Sequence, residues 1–436
     1  MLLFYRYLVR PLLDFLLRAM AVRSRKARLT WRGRKEWRTQ LRHVPQTASH
    51  RVHFHAASVG EFEQAKPIIE AIRATFPGSV ITASFFSSSG MWQQGNYDGV
   101  DAACHLPPDR PKEINEFLDH LRPQLIIIIR YDLWPQLLAQ ANRRKIPVVL
   151  ACGVLHGGSA RLFPVVRRFF RWLYGQLTLA CVVGPEDERA FRQLAPTLAV
   201  RVAGDTRYDR VVARTQQPSA TPVLAAHLPG SVTLIAGSTW PDDERLLAEA
   251  TAAEASRLQP ILVPHEPTPQ HLDPLRKQFP NAVLLSELEK IEIGGSEFEE
   301  SESGKSEPEG AATGKERGVI VDRTGMLSGL YRQGEIAYVG GGFGAGVHSV
   351  LEPAAYGIPV ICGPGIHRSR DAVAMEKAGA LIVVADAASL RQTLLRLLDN
   401  PEERNRLGTA ARQFVEERAN ATERIISTLL EKGLLA

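Results

Sequence analysis

Residues 125–129 read LIIII, and a strand built from them is apolar on both faces. Such a strand is at home in the middle of a parallel sheet covered on both sides, which implies crossover helices and an α/β fold. The rest of the chain agrees. Strands are predicted at 52–55, 80–84, 148–151 and 179–183, several of them separated by stretches of helical period or helix length. After the Pro/Ser/Thr-rich run QQPSATP the pattern restarts, with strands predicted at 232–236, 260–263, 319–321, 336–339, 360–362 and 381–384. The 436 residues exceed one ordinary domain and suit two. The expected architecture is therefore two doubly wound, Rossmann-like domains whose strand C-termini face a cleft. Their expected limits are 46–212 and 223–436, with a linker at 213–222 and an N-terminal segment at 1–45.

The formal charge of +6 is a sum of unlike parts. Residues 1–43 carry twelve Arg or Lys against only Asp14 and Glu36. Within them Arg6, Arg10, Asp14 and Arg18 recur every four residues as one polar stripe, while Leu, Phe and Val cover the remainder. The apolar runs are too short to span a bilayer, which takes about 20 residues, and no small-residue cleavage site follows. A helix lying in the membrane interface, followed by basic residues for anionic lipid, is expected. The alternative is a basic amphipathic helix packed on the protein's own surface. Residues 287–310 (ELEKIEIGGSEFEESESGKSEPEG) run acidic and polar, and a disordered surface insertion is expected over about 287–316. The four cysteines stand singly, without CxxC or His-rich neighbours, so no zinc site or disulfide frame is expected, and a reducing cytoplasm fits.

Candidate chemistry gathers at predicted strand ends. In VGGGFGAGVHSVLEPAAYGIPVICGP, from Val339 to Pro364, glycines at 340, 341, 342, 344 and 346 strip side chains from a turn that leads toward a short helix. Backbone N–H groups can close on a phosphate there, and the Glu352 carboxylate can accept two hydrogen bonds from a ribose diol. No choice among these glycines gives the dinucleotide spacing, and no Gly-Lys-Ser/Thr completes a P-loop. A ligand-free strand-to-helix connection is the competing account. Gly237 and Ser238 follow another strand and open a helix at PDDE, His265 follows a strand end in VPHEPTP, and Thr324 and Gly325 form a turn in DRTGML. In the first domain, HAASVGE sets Glu61 at a loop-to-helix junction, placed to act as a general base or merely to complement the helix dipole.

Taken together, HAASVGE, the LWP of YDLWPQLL, GDTRYD, GSTWPDDE, VPHEP, DRTGMLSGLY and above all VHSVLEPAAYGIPVICGP resemble the 3-deoxy-D-manno-octulosonic acid (Kdo) transferases of lipopolysaccharide assembly. The resemblance covers nearly the whole chain. It implies a GT-B fold, CMP-Kdo as donor, a lipid A precursor (lipid IVA) as acceptor, inversion at the anomeric carbon, and no bound metal or cofactor. It also implies a place on the cytoplasmic face of the inner membrane, peripheral or monotopic, against anionic lipid, with no nucleic acid as partner. Glu61 matches the family's catalytic base, and Arg207 stands as a charge stabiliser where lysine is usual. The CMP site carries over to Pro264, His265, Thr324, Gly325, Met326, Ser349, Val350, Leu351 and Glu352.

Three positions depart from the family pattern. Ser349 replaces asparagine, Trp240 replaces histidine, and Arg130 stands near a position where an acid is usual, with Asp132 left to retain part of that role. Two rival readings share parts of this pattern. A GT-B enzyme using a UDP-sugar, either a transferase or a sugar-nucleotide epimerase, shares the glycine turn and Glu352, but needs neither the N-terminal helix nor a cationic clamp for a donor carboxylate. A membrane scaffold shares only the basic end.

Overall fold

A computed structural model of the chain describes residues 1–48, 50–217, 231–296 and 318–435. It divides into two compact units, Met1–Arg210 with Arg418–Ala436, and Val211–Glu417.

The first unit is built on a seven-stranded parallel sheet: β1 (Arg51–Ala56), β2 (Val80–Phe85), β3 (Ala102–His105), β4 (Leu125–Ile129), β5 (Val148–Gly153), β6 (Leu179–Val182) and β7 (Ala199–Val202). Their order is β3-β2-β1-β4-β5-β6-β7, with Val52 beside both Ile81 and Leu125. LIIII is β4, central and fully buried. Ile126 and Ile128 enter the core on one face of the sheet, and Leu125, Ile127 and Ile129 enter the core on the other. The direction of winding reverses between β1 and β4, where open α/β sheets place their ligands.

The second unit repeats the plan with β8 (Val232–Thr239), β9 (Leu258–Pro264), β10 (Ala282–Leu284), β11 (Gly318–Ile320), β12 (Ile336–Val339), β13 (Val360–Cys362) and β14 (Ile382–Val383). The order is β10-β11-β9-β8-β12-β13-β14, again all parallel, with the reversal between β8 and β12.

The unit boundaries differ from the expected ones. The last helix, Ala421–Glu431, belongs to the first unit and not to a domain running to residue 436, because Ile425 and Leu429 are fully buried in the first unit's core. Asp209 holds that helix at its start, accepting from the N–H of Ala421 (3.1 Å) and of Thr422 (2.6 Å). Likewise the segment 1–45 is not separate, since Trp37, Leu41 and Val44 pack into the sheet's core. Residues 213–216 of the expected linker finish the helix Thr206–Gln216, and residues 218–222 lie outside the described residues. Where an acidic insertion was expected from residue 287, the helix Leu285–Ser296 begins, anchored by buried Leu285 and Leu288; residues 297–316 lie outside the described residues.

The N-terminus runs as continuous helical turns over Leu2–Phe4, Tyr5–Val9 (π-helical) and Arg10–Arg23, after which Ser24 caps the helix Arg25–Gly33. Part of its polar stripe faces the protein: Asp14 Oδ2 accepts from Arg10 Nη1 (2.7 Å) and from Arg110 Nη2 (2.9 Å). Tyr5 is buried and stacks toward Phe169. Leu3, Phe4, Tyr7, Leu8, Leu12 and Phe15 are more than half exposed. Among the described residues no helix is long and apolar enough to cross a membrane.

Candidate functional site

The loop after β1 carries Glu61. Ser58 caps the helix Val59–Thr75 in the extended conformation, and its Oγ accepts from the Glu61 N–H (3.4 Å). Glu61 answers by accepting on Oε2 from the N–H groups of Ala57 (2.6 Å) and Ser58 (3.1 Å), a reciprocal capping box. The carboxylate is buried, and desolvation, then the nearby charge of Asp132, raise its pKa above the ordinary glutamate value; the two N–H groups and His55 pull the other way.

Asp132 comes from the loop after β4, across the winding reversal from Glu61. His55 Nε2 donates to its Oδ2 (2.9 Å) and Trp134 Nε1 to the same oxygen (3.1 Å). Burial disfavours the Asp132 anion, but those donors outweigh it and hold the carboxyl below the usual aspartate range. Behind His55 a buried hydrogen-bond chain continues through Ser84 Oγ (2.9 Å from His55 Nδ1 and from His53 Nε2) to Thr82 Oγ1 (2.9 Å from His53 Nδ1). Desolvation, then His55, push His53 down to about 3, so it is neutral. Arg130 sits at the end of β4 in the left-handed region (φ 67°), which is costly for a side chain bearing a Cβ.

Arg207 opens the helix Thr206–Gln216 and is bound through Nε (3.0 Å) and Nη2 (2.8 Å) to Oδ2 of buried Asp205. Asp205 Oδ1 accepts from Gln64 Nε2 (2.7 Å), one turn beyond Glu61 on the same helix. The structure thus links Arg207 to the Glu61 helix through two side chains.

In the second unit the four loops singled out by sequence follow β11, β9, β8 and β12, which are neighbours in the sheet. Pro264 ends β9, and the His265 N–H donates to Thr239 O at the end of β8 (3.0 Å). His265 is exposed and stacks on both Trp240 (5.0 Å) and His348 (4.4 Å), which lie side by side with Trp240 Nε1 donating to His348 Nε2 (2.9 Å). That bond makes His348 Nε2 an acceptor, and burial, then His265, lower the His348 pKa. Trp240 and His348 therefore form one flat pair of rings on which His265 stacks. Thr324, Gly325 and Ser349 are exposed at the loop surfaces, and Met326 is half-buried with its sulfur near Arg323 Nε (3.0 Å).

Glu352 lies in the first turn of a five-residue helix, Leu351–Ala355, and is paired with Arg214 (3.0 Å). Val350 and Leu351 are buried as whole residues, so neither of these expected donor contacts is at the surface. Gly237 is also buried, and a Cβ there would stand 2.2 Å from the Tyr331 hydroxyl; Ser238, in the left-handed region, is half-buried. The glycine turn is required by backbone crowding: a Cβ on Gly340 would stand 2.3 Å from Ser238 O, and one on Gly342 would stand 2.6 Å from Gly363 Cα. Buried Asp243 ties this turn to the helix Pro241–Thr251, accepting from Gly341 N–H (2.8 Å) and Trp240 N–H (3.0 Å) on Oδ2 and from the Tyr338 hydroxyl (2.8 Å) on Oδ1.

Sequence reasoning missed His55, Asp205, Asp243 and His348. The signal for His55 was present as polar residues at period two, His53 and His55 against Thr82 and Ser84, inside otherwise apolar buried strands.

Two doubly wound parallel sheets, each with a winding reversal, define a GT-B-like fold. The fold matches the UDP-GlcNAc 2-epimerase of Neisseria meningitidis bound to UDP-GlcNAc, with a TM-score of 0.60 at 13% identity over 87% of this chain and 99% of that one. The family model for 3-deoxy-D-manno-octulosonic-acid transferase (kdotransferase) matches residues 31–210, and that for glycosyl transferases group 1 matches residues 330–414. The 3-deoxy-D-manno-octulosonic acid transferase of Haemophilus influenzae is 26% identical over 87% of this chain and 86% of its own length. A probable mitochondrial 3-deoxy-D-manno-octulosonic acid transferase of Arabidopsis thaliana is 27% identical over 80% and 77%. The chain is thus similar over most of its length to the Kdo transferases, and these likenesses make it a glycosyltransferase.

Proposed function

We propose that this enzyme transfers Kdo from CMP-Kdo to a lipid A precursor, lipid IVA, in a single inverting displacement. The observation that carries the reading is the buried Glu61 carboxylate at the β1/β4 reversal, fixed by one oxygen and made more basic by its surroundings. Glu61 takes the proton of the acceptor hydroxyl as that oxygen bonds to the anomeric carbon. The bond from that carbon to the CMP phosphate breaks, and its electron pair leaves with CMP. A base whose pKa is raised toward the working pH accepts this proton more readily. Arg207, held by Asp205, supplies positive charge against the donor's carboxylate and the developing phosphate charge.

The donor's nucleotide is assigned to the loops after β8, β9, β11 and β12, with Glu352 sharing its carboxylate between Arg214 and the ribose hydroxyls. The test is stabilisation against heat. CMP at a hundred times its Kd should add about 2.7 kcal/mol, and UDP at the same concentration clearly less. Equal or greater protection by UDP would replace this reading with the UDP-sugar one. Glu352→Ala should weaken CMP binding by about 1.5–3 kcal/mol, measured by calorimetry, because a charge-assisted pair is lost. Unchanged affinity would remove Glu352 from the ribose site.

Asp132 gives the reading a pH signature. Its negative charge raises the Glu61 pKa, and the base works only when deprotonated, so activity falls as pH drops through that pKa. Asp132→Asn removes the charge, lowers the Glu61 pKa and should move the acid limb of kcat/KM to lower pH. A limb that stays in place would show that another group sets it.

The N-terminal helix is proposed to seat the enzyme on the cytoplasmic face of the inner membrane. The support is an outward apolar face on a helix whose Asp14 is bound inward by Arg110, with basic residues following. Phe15→Glu and Leu12→Glu, both at exposed positions, should release the protein from anionic vesicles while changing stability by no more than about 0.5 kcal/mol. Retention on vesicles, read by flotation, would refute the interfacial helix.

A further inference from the structure

A cavity of about 200 Å³ lies between the N-terminal helices and the end of β2, with Leu17, Met20, Ala27, Trp31 and Phe86 in its wall. Apart from Lys26, most of its polar side chains already make hydrogen bonds within the protein. Ser24 Oγ accepts from Ala27 N–H, Thr30 Oγ1 from Ser88 N–H (3.1 Å), and Ser87 Oγ from Gly90 N–H (3.2 Å). Buried Arg34 donates to the carbonyls of Leu106 (2.9 Å) and Pro107 (3.0 Å) and stacks on Phe86 and Trp134. Away from Lys26 the wall is mostly carbon, with hydroxyl oxygens that already accept a hydrogen bond, and an apolar chain matches it.

Three features select the occupant. Leu17 and Met20 continue the helix face of Leu13 and Leu16, so the cavity adjoins the exposed apolar surface. Exposed Lys26 lines it, and Arg18 and Lys35 each lie 5.1 Å from the Trp31 ring, giving it a cationic border suited to an anionic headgroup. Finally, Ser87 N–H donates to Ala57 O (3.1 Å), and Ala57 N–H holds the Glu61 carboxylate (2.6 Å). The cavity wall and the base are two hydrogen bonds apart.

We infer that this cavity seats one acyl chain of the anionic lipid acceptor, and so places the acceptor headgroup by the length and position of its chain. The inference rests on the proposed transfer to a lipid acceptor. All four native cysteines are buried, so Ala27→Cys introduces one accessible thiol, whose alkylation by a maleimide reports occupancy without turnover.

The probes are n-alkyl phosphates from butyl to dodecyl, kept below micelle formation. Half-protecting concentrations should fall about fourfold per methylene and then level off once the chain outgrows the cavity. In detergent micelles, lipid IVA should protect the thiol where phosphatidylglycerol at the same mole fraction does not. Absence of protection by every alkyl phosphate, or a decline that never levels off, overturns the site. Equal protection by phosphatidylglycerol makes it a site for membrane lipid and overturns the acceptor assignment. In a second variant, Ala27→Trp fills the cavity and should raise the acceptor KM at least tenfold with the donor KM held, whereas a purely structural effect would lower Tm and move both. If no lipid accepts Kdo from the enzyme, the proposed function fails on turnover, and the alkyl-phosphate series still reads the cavity.

Discussion

Glu61→Gln should reduce sugar transfer by at least about 10²-fold while leaving Tm and CMP affinity close to wild type. The two roles of this side chain make the substitution informative. As the third residue of its helix, Glu61 satisfies the N–H groups of Ala57 and Ser58 through Oε2. Glutamine keeps an oxygen that can accept both bonds but cannot take a proton from an attacking hydroxyl. If the carboxylate serves only as a cap, glutamine should be nearly silent. If it is the base, turnover falls with the fold unchanged. Glu61→Ala adds the second loss, costing about 0.5–2 kcal/mol of stability along with activity, since the capping bonds go too. The comparison is made with single-turnover rates at saturating donor and acceptor, beside thermal melts. A Glu61→Gln enzyme that keeps most of its turnover leaves the residue a helix cap.

Much of the fold could be read from the sequence because it depends on patterns local to a few residues. LIIII at β4 and IAYV at β12 announce buried parallel strands, and the expected limits of β4, β12 and β13 coincide with the observed ones. The strands left out were β3, β7 and β10, each at a sheet edge. Edge strands are covered less completely, so they need no long apolar run: β3 is AACH, and β7 is AVRV with Arg201 and Val202 exposed. The return of Ala421–Glu431 to the first unit was illegible for another reason. It depends on Asp209 meeting residues more than two hundred positions away, and no periodicity encodes that pairing.

The site divides in the same way. Glu61 and the glycine turn stand in short motifs whose chemistry follows from residue type and spacing. Asp132 is joined to His55 only by the register of β1 against β4, and Trp240 to His348 only by adjacent loops of one sheet. Those partnerships are tertiary. They also show what Trp240 does, since its indole N–H fixes an acceptor nitrogen on His348 and its ring widens the flat surface on which His265 stacks.

Asp243→Ala should be the most destabilising of these substitutions, at roughly 3–5 kcal/mol, and should abolish protection by CMP. Asp243 is 1% exposed, and all three of its partners are donors. Alanine orphans the N–H of Trp240, the N–H of Gly341 and the hydroxyl of fully buried Tyr338, each of which costs about 1–3 kcal/mol when left unsatisfied, with partial relief from repacking or water. The loss falls where the backbone can least adjust. Gly341 is held at φ 91° and its carbonyl already receives the N–H groups of Gly344 (3.1 Å) and Gly346 (2.8 Å), so freeing its N–H unseats the turn as a whole. For a unit of this size each kcal/mol shifts Tm by about 2–4 °C, which makes a fall of roughly 10 °C measurable by calorimetry. Asp243→Asn keeps one acceptor but turns an amide donor toward N–H or O–H groups, and should fall between alanine and wild type. An alanine variant melting within about 2 °C of wild type would show that the glycine turn holds its shape through backbone crowding alone. The loops proposed to hold the nucleotide would then owe their geometry to the close approach of Gly340 and Gly342 to the neighbouring backbone, and Gly342→Ala, which drives a Cβ against Gly363, would become the substitution that disables them.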